Sequence, residues 1–260
     1  MLLIPQHELL AWIGAVYWPF LRMTGVLLTA PVLGSNVLPV FFRILLSAVF
    51  AVCLAAWGGP WPPLPQGVFA LMGEGTLQIV AGAGIGLTGM IIVSAIASGG
   101  EIAGAALGLN FATITGLNPD QTPAVLYNIF YWTGLLVYLG LGGMIMTIHA
   151  VSLSFHTFPA GPPSAPALHN LANFAGSIIE TGVLIALPAI AASLALNAVT
   201  GLANALAPQI NIFSIGFPLL FLGGIWIIAT SLFSIEPIAV HLMTQAAKVL
   251  GVWTTSSASK

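Results

Sequence analysis

Along this chain the apolar positions come in long, nearly unbroken runs, and the polar ones gather between them. Ile79–Ile96 and Val183–Leu196 show the pattern plainly, with small and aliphatic residues following one another and scarcely a polar interruption. A membrane-spanning β-strand would alternate polar and apolar residues over about 10 positions, whereas a helix needs about 20 apolar residues in succession to cross the hydrocarbon core. The runs predict helices, because a helix pairs its backbone groups within one segment. Six segments qualify: roughly 9–29, 40–57, 69–98, 124–154, 175–206 and 212–250.

The links between them are short and rich in Pro and Gly. Residues 58–67 read GGPWPPLPQG and residues 158–166 read FPAGPPSAP, both extended turns. Asn110–Pro123 is the mid-chain link that combines an acid with prolines. No linker is long enough to separate domains, so residues 1–260 read as one integral membrane domain. Pro188, Pro208, Pro218 and Pro237 interrupt the last two apolar segments. Each removes a backbone donor, so these helices are expected to be kinked or broken and covered by other protein.

Composition sharpens the class. Of 260 residues, 4 are Lys or Arg and 6 are Asp or Glu, 58% are hydrophobic, and the charged fraction is 4%. A soluble domain carries about 25% charge. A surface so poor in charge excludes an ordinary soluble enzyme and a disordered tail, and the missing basic patch excludes nucleic acid as a partner. The chain reads as an all-α, multi-pass membrane protein in contact with lipid. The single cysteine, Cys53, excludes a disulfide framework and a cysteine metal cluster. The first ten residues hold Glu8 and no basic residue, so they do not read as a cleavable signal. Lys248 and Lys260 flank the last segment and favour a cytoplasmic C-terminus, hence a cytoplasmic N-terminus for an even number of spans.

Candidate chemistry is thin. Gly84–Gly89 matches GxGxxG but lies inside an apolar helical run with no preceding strand, so it reads as packing. Five histidines form no HExxH and no pair beside a carboxylate. The sequence therefore assigns no catalytic, cofactor-binding or metal-binding residue, and the chain is expected not to be an enzyme. Intramembrane charge is a better lead, since it is costly in hydrocarbon. Glu74, Glu101, Glu180 and Glu236 stand at segment ends, with Arg22 and Arg43 as available counter-charges, either as structural pairs or as an ion relay of a secondary carrier. Small-residue seams are a second lead. Gly82 and Gly86, and Gly100, Gly104 and Gly108, recur at spacing four, which places each set on one helix face where a neighbour can approach closely. Asn197, Asn204 and Asn211 fall at steps of seven and would form a polar stripe, holding partner subunits, lining a wet path or fastening this chain's own helices.

The stretches Leu187–Asn197, Gly201–Asn204 and Ala207–Leu219, the last reading APQINIFSIGFPL, resemble the signature of the FliR family of flagellar export-gate proteins, which is related to SctT of virulence type III secretion. Ala30–Gly34, Pro39–Arg43, Gly100–Ala112 and His149–Pro159 resemble further parts of the same family, so the likeness covers nearly the whole chain. The GFPL ending looks flagellar. The resemblance implies broken, hairpin-forming helices in a helical export-gate assembly with FliP-like, FliQ-like and FlhB-like subunits. It implies a channel for unfolded flagellar proteins in the bacterial inner membrane, at the basal body, with no cofactor. It also implies a pore plug near 111–122, here Phe111, Ala112, Ile114, Gly116, Leu117, Asn118 and Pro119. Pro208, Gln209, Phe213, Gly216, Phe217 and Pro218 would join the glycine seam and the asparagines at partner interfaces. A virulence-type secretion subunit and a secondary transporter of a small solute are the alternatives.

Overall fold

The computed structural model describes residues 6–31, 39–57, 61–65, 67–108, 125–159, 161–206 and 212–254. Among them every regular element is an α-helix: α1 Gln6–Thr29, α2 Val40–Trp57, α3 Val68–Ala106, α4 Val125–Gly140, α5 Gly143–Thr157, α6 Ala165–Ala175, α7 Ser177–Leu206, α8 Ile212–Phe233 and α9 Ile235–Thr254. The unbroken apolar runs fold as their composition requires, since only helices satisfy the backbone without help from water.

Among the described residues three stretches are long and apolar enough to cross a membrane: Leu10–Thr29, Val68–Ala106 and Ala165–Ala203. Two bent pairs, α4 with α5 and α8 with α9, bring the number of spans to as many as five if each counts as one. Of the six segments expected to qualify, three do so as single helices among the described residues. Segment 40–57 does form a helix, but its apolar part, Val40–Ala56, falls short of a span. Segments 124–154 and 212–250 bend, by 60° and 45°.

The bends also correct the expected role of proline. α7 runs through Pro188 and α8 through Pro218 as continuous helices, while the breaks fall at Gly142 and at Ser234. Gly142 has φ +77, a left-handed conformation that a side chain resists, and this turns the chain between α4 and α5. Pro237 stands in the first turn of α9, where no intrahelical partner for its missing N–H is lost. Pro208 lies outside the described residues.

The helices gather into two compact units. One comprises Met1–Ile91, Leu139–Ala175 and Met243–Lys260, the other Ile92–Tyr138 and Gly176–Leu242. In the first, α1 packs on α2, and a core of Trp18, Met23, Val26, Ile85, Val151, Phe155, Leu250 and Trp253 is fully or nearly fully buried. Lipid is as apolar as these side chains, so packing and hydrogen bonds, more than escape from water, hold such a core together. In the second unit α7 packs on α8.

Candidate functional site

Glycine decides where the backbones meet. In the first unit α1 and α3 cross at Gly25, Gly82 and Gly86. A Cβ built on Gly82 would strike the Arg22 carbonyl oxygen and approach Val26 N to 3.1 Å; one on Gly86 would lie 2.8 Å from Val26 O; one on Gly25 would strike Ile79 O and lie 2.7 Å from Ala83 N. The Thr29 hydroxyl uses this proximity to donate to Ala83 O at 2.9 Å, a hydrogen bond between the two helices.

Beside this seam lies a polar node inside the apolar layer. Arg22 is fully buried. Its Nε donates to Gln78 Oε1 at 2.8 Å, Nη1 to Ser154 Oγ at 2.7 Å and Nη2 to the Phe158 carbonyl at 2.8 Å. Its guanidinium carbon lies 3.8 Å from the centre of the Phe155 ring and 4.6 Å from that of Phe158. Ser154 passes the polarity on, donating to Val151 O at 2.7 Å. The node joins α1, α3, α5 and the turn after α5. The sequence suggested a carboxylate for Arg22; the structure supplies neutral acceptors and aromatic faces. A guanidinium fits such a set because its planar fork donates in several fixed directions and stacks on rings. Trp18, one turn away, donates from Nε1 to Pro62 O at 2.9 Å and fastens the extended segment 61–65 to the same helix. Gln78, Ser154 and Trp18 were not foreseen. Gln78, a long polar side chain inside the charge-free stretch Gly75–Gly100, is the one that carried a signal.

The second unit repeats the glycine device. A Cβ on Gly99 would meet Ile185 Cβ at 2.7 Å, and one on Gly134 would meet Ile96 Cβ at 3.1 Å; Gly182 faces Ser98, whose hydroxyl donates to Ile178 O at 2.9 Å. Gly100 is buried with Leu126 O at 2.6 Å and the Phe130 ring at 2.7 Å from its missing side chain, so the chain's own α4 occupies that face. The expected three-residue seam is therefore shorter. Gly104 is buried in α3, but α3 ends at Ala106, and Gly108 is exposed with φ +71 where it closes the helix instead of continuing its face. Gly100→Leu is expected to lower the amount of protein recovered from membranes several-fold relative to Gly73→Ala, whose added methyl meets nothing within 4 Å; quantitative immunoblotting of washed membranes measures it.

The remaining expected site residues are spread out. Arg43 on α2 and Glu74 on α3 are half-buried, and Glu101 on α3 is exposed. Asn197 is exposed on α7. Asn204 lies in α7, and Phe213, Gly216, Phe217 and Pro218 lie in α8; the surroundings of these five side chains are outside the description. Phe111, Ala112, Ile114, Gly116, Leu117, Asn118, Pro119, Pro208, Gln209 and Asn211 lie outside the described residues. Among the described residues no group of three His, Cys, Asp or Glu could hold a metal ion.

Large apolar side chains project from several helices: Phe41 and Leu45 on α2, Trp132 and Leu136 on α4, Leu194 and Leu202 on α7, Leu222 and Trp226 on α8. Only 28% of the apolar stretch in Ala165–Ala203 is buried within the chain, against 67% in Val68–Ala106. Faces of this size are covered in a membrane by lipid or by other subunits.

Comparison with known proteins matches the sequence to a family. Residues 13–246 match the family described as bacterial export proteins, family 1. The flagellar biosynthetic protein FliR of Escherichia coli (strain K12) is 31% identical over 252 residues, covering 96% of this chain and 96% of that protein. FliR of Pectobacterium carotovorum subsp. carotovorum is 32% identical over 258 residues, with the same coverage of 96% and 96%. FliR of Aquifex aeolicus (strain VF5) is 27% identical over 216 residues, covering 82% of this chain and 83% of that protein.

Proposed function

Because this chain belongs to the bacterial export proteins, family 1, the family of the flagellar biosynthetic protein FliR, we propose that it is a subunit of the flagellar protein-export gate in the bacterial inner membrane. It acts as one integral membrane domain that assembles with FliP-like, FliQ-like and FlhB-like subunits at the basal body. Together they form a channel for unfolded flagellar proteins. The part played is structural: the chain shapes a conduit and performs no bond chemistry. The observation that carries this reading is the match to FliR along 96% of both chains. The poorly covered apolar faces of α7 and α8 support it, because partner helices would complete them. Deleting the gene is expected to stop filament protein from reaching the medium, and returning it on a plasmid to restore export. Undiminished filament protein in the medium of the deletion strain would refute the reading.

Such a channel must hold back ions while at rest. We assign that task to the link near 111–122. Phe111, Ile114 and Leu117 supply apolar side chains that exclude water from a constriction, and Gly116 supplies freedom to move aside. Ala112, Asn118 and Pro119 belong to the same link. Removing Thr113–Asn118 is expected to make the resting membrane leak ions, seen as slower growth and a lower membrane potential when the gate genes are overexpressed. A mutant with the potential of the wild type would rule the plug out.

A further inference from the structure

The outward surface of α9 differs from that of the other long apolar helices. Its inward residues, Ile235, Ala239, Leu242, Ala246, Leu250 and Trp253, recur at steps of three or four and are all buried. Its exposed positions are Glu236, Pro237, Val240, His241, Thr244, Ala247 and Lys248. Val240 is the one large apolar side chain among the exposed positions of α9, where α2, α4, α7 and α8 display phenylalanine, tryptophan and leucine. The polar positions from Glu236 to Lys248 extend along about 18 Å of helix. A chain with so few charges has placed an acid, a lysine and a histidine on one outward face.

Hydrocarbon is a poor neighbour for that face, since charged side chains are costly there and turn toward water or protein cavities. A helix lying on the bilayer surface would press its apolar stripe into the lipid, yet the apolar stripe of α9 is buried within the chain. A tight subunit interface is a poor fit too: such interfaces are depleted in Lys, Glu and Ala, three of the residues present here. Water fits all of them.

We propose that the outward face of α9, built from Glu236, His241, Thr244 and Lys248, forms part of the wall of the aqueous passage through which the exported chain moves. The inference rests on the export-gate reading and adds to it the surface that faces cargo. A hydrated wall of small and mixed-charge side chains offers an unfolded polypeptide no apolar pocket in which to lodge, so the chain can enter and also leave.

Cysteine labelling tests this in cells that carry the complete export apparatus. The native Cys53 is exposed and is first replaced by serine. Single variants His241→Cys, Thr244→Cys and Lys248→Cys are compared with Leu194→Cys and Val199→Cys on α7, using a charged, membrane-impermeant maleimide in permeabilised cells. Because the reagent attacks the thiolate, which forms in water, the α9 positions are expected to react about tenfold faster or more than those on α7. A filament-protein fusion to a domain too stable to unfold, arrested in the gate, is expected to suppress the α9 labelling. Absence of labelling in strains that still export filament protein overturns the inference and leaves the export function standing. Labelling that the arrested fusion does not reduce also overturns it, because the face then borders open solution. Export that is normal in the deletion strain overturns the functional reading itself.

Discussion

Gly82→Val is expected to abolish stable accumulation of the protein in membranes. The added carbon would strike the Arg22 carbonyl oxygen, with the Arg22 carbonyl carbon at 2.8 Å and Val26 N at 3.1 Å. These are backbone atoms of α1. A flexible side chain could swing aside, but a helix backbone yields only if the whole helix moves. Moving α1 would break the Thr29–Ala83 hydrogen bond and open the crossing at Gly25 and Gly86 as well. Overpacking in cores costs about 1–3 kcal/mol and occasionally more. The backbone contact puts Gly82 at or above the top of that range, a large part of the total stability of an ordinary domain. Gly201→Ala on α7 serves as the control: its methyl meets nothing within 4 Å, and alanine favours the helix. Membrane-fraction levels and the thermal midpoint of the purified protein should fall together for Gly82→Val and hold for Gly201→Ala.

Arg22→Lys is expected to damage the protein at least as much as Arg22→Met. Charge conservation suggests the reverse, but the acceptors decide. The guanidinium makes three hydrogen bonds, to Gln78, Ser154 and Phe158, and lies over two phenyl rings. An ammonium keeps the cost of burying a charge while its geometry cannot reach all three acceptors or stack. Methionine removes the buried charge and fills similar space, leaving the acceptors unsatisfied at about 1–3 kcal/mol each. Replacing the side chains of two acceptors together with the arginine, as Arg22→Met with Gln78→Leu and Ser154→Ala, should therefore recover part of the loss. Thermal midpoints of the four proteins in detergent test the order. A lysine variant as stable as the original would show that charge, and not the fork, is what the node requires.

Fold class was readable because hydrocarbon imposes one rule: runs such as Ile79–Ile96 have no option but helix. The Gly82–Gly86 seam was readable from its spacing, whereas Gly25, its counterpart on α1, stands alone and carries no repeat to mark it. Gly108 shows the limit of such reasoning. The same residue permits close packing inside a helix and a left-handed turn at its end, and its spacing from Gly104 fitted the first role while φ +71 reveals the second. Proline misled in the other direction: Pro188 sits within a continuous helix, and the bend comes at Gly142. Arg22 stood out as a charge, but its partners Gln78 and Ser154 lie 56 and 132 positions away, and nothing local in the sequence connects them.

The central claim is that this chain is incomplete alone, its bare apolar helices being closed over by sibling subunits of an export conduit. The most direct measurement is the composition and mass of what is recovered when the full-length protein, tagged at its C-terminus, is extracted from native membranes in mild detergent. The account predicts a stable complex that contains FliP-like and FliQ-like subunits. Recovery of the tagged chain as a well-behaved monomer, with those subunits left behind in a separate fraction, would contradict it.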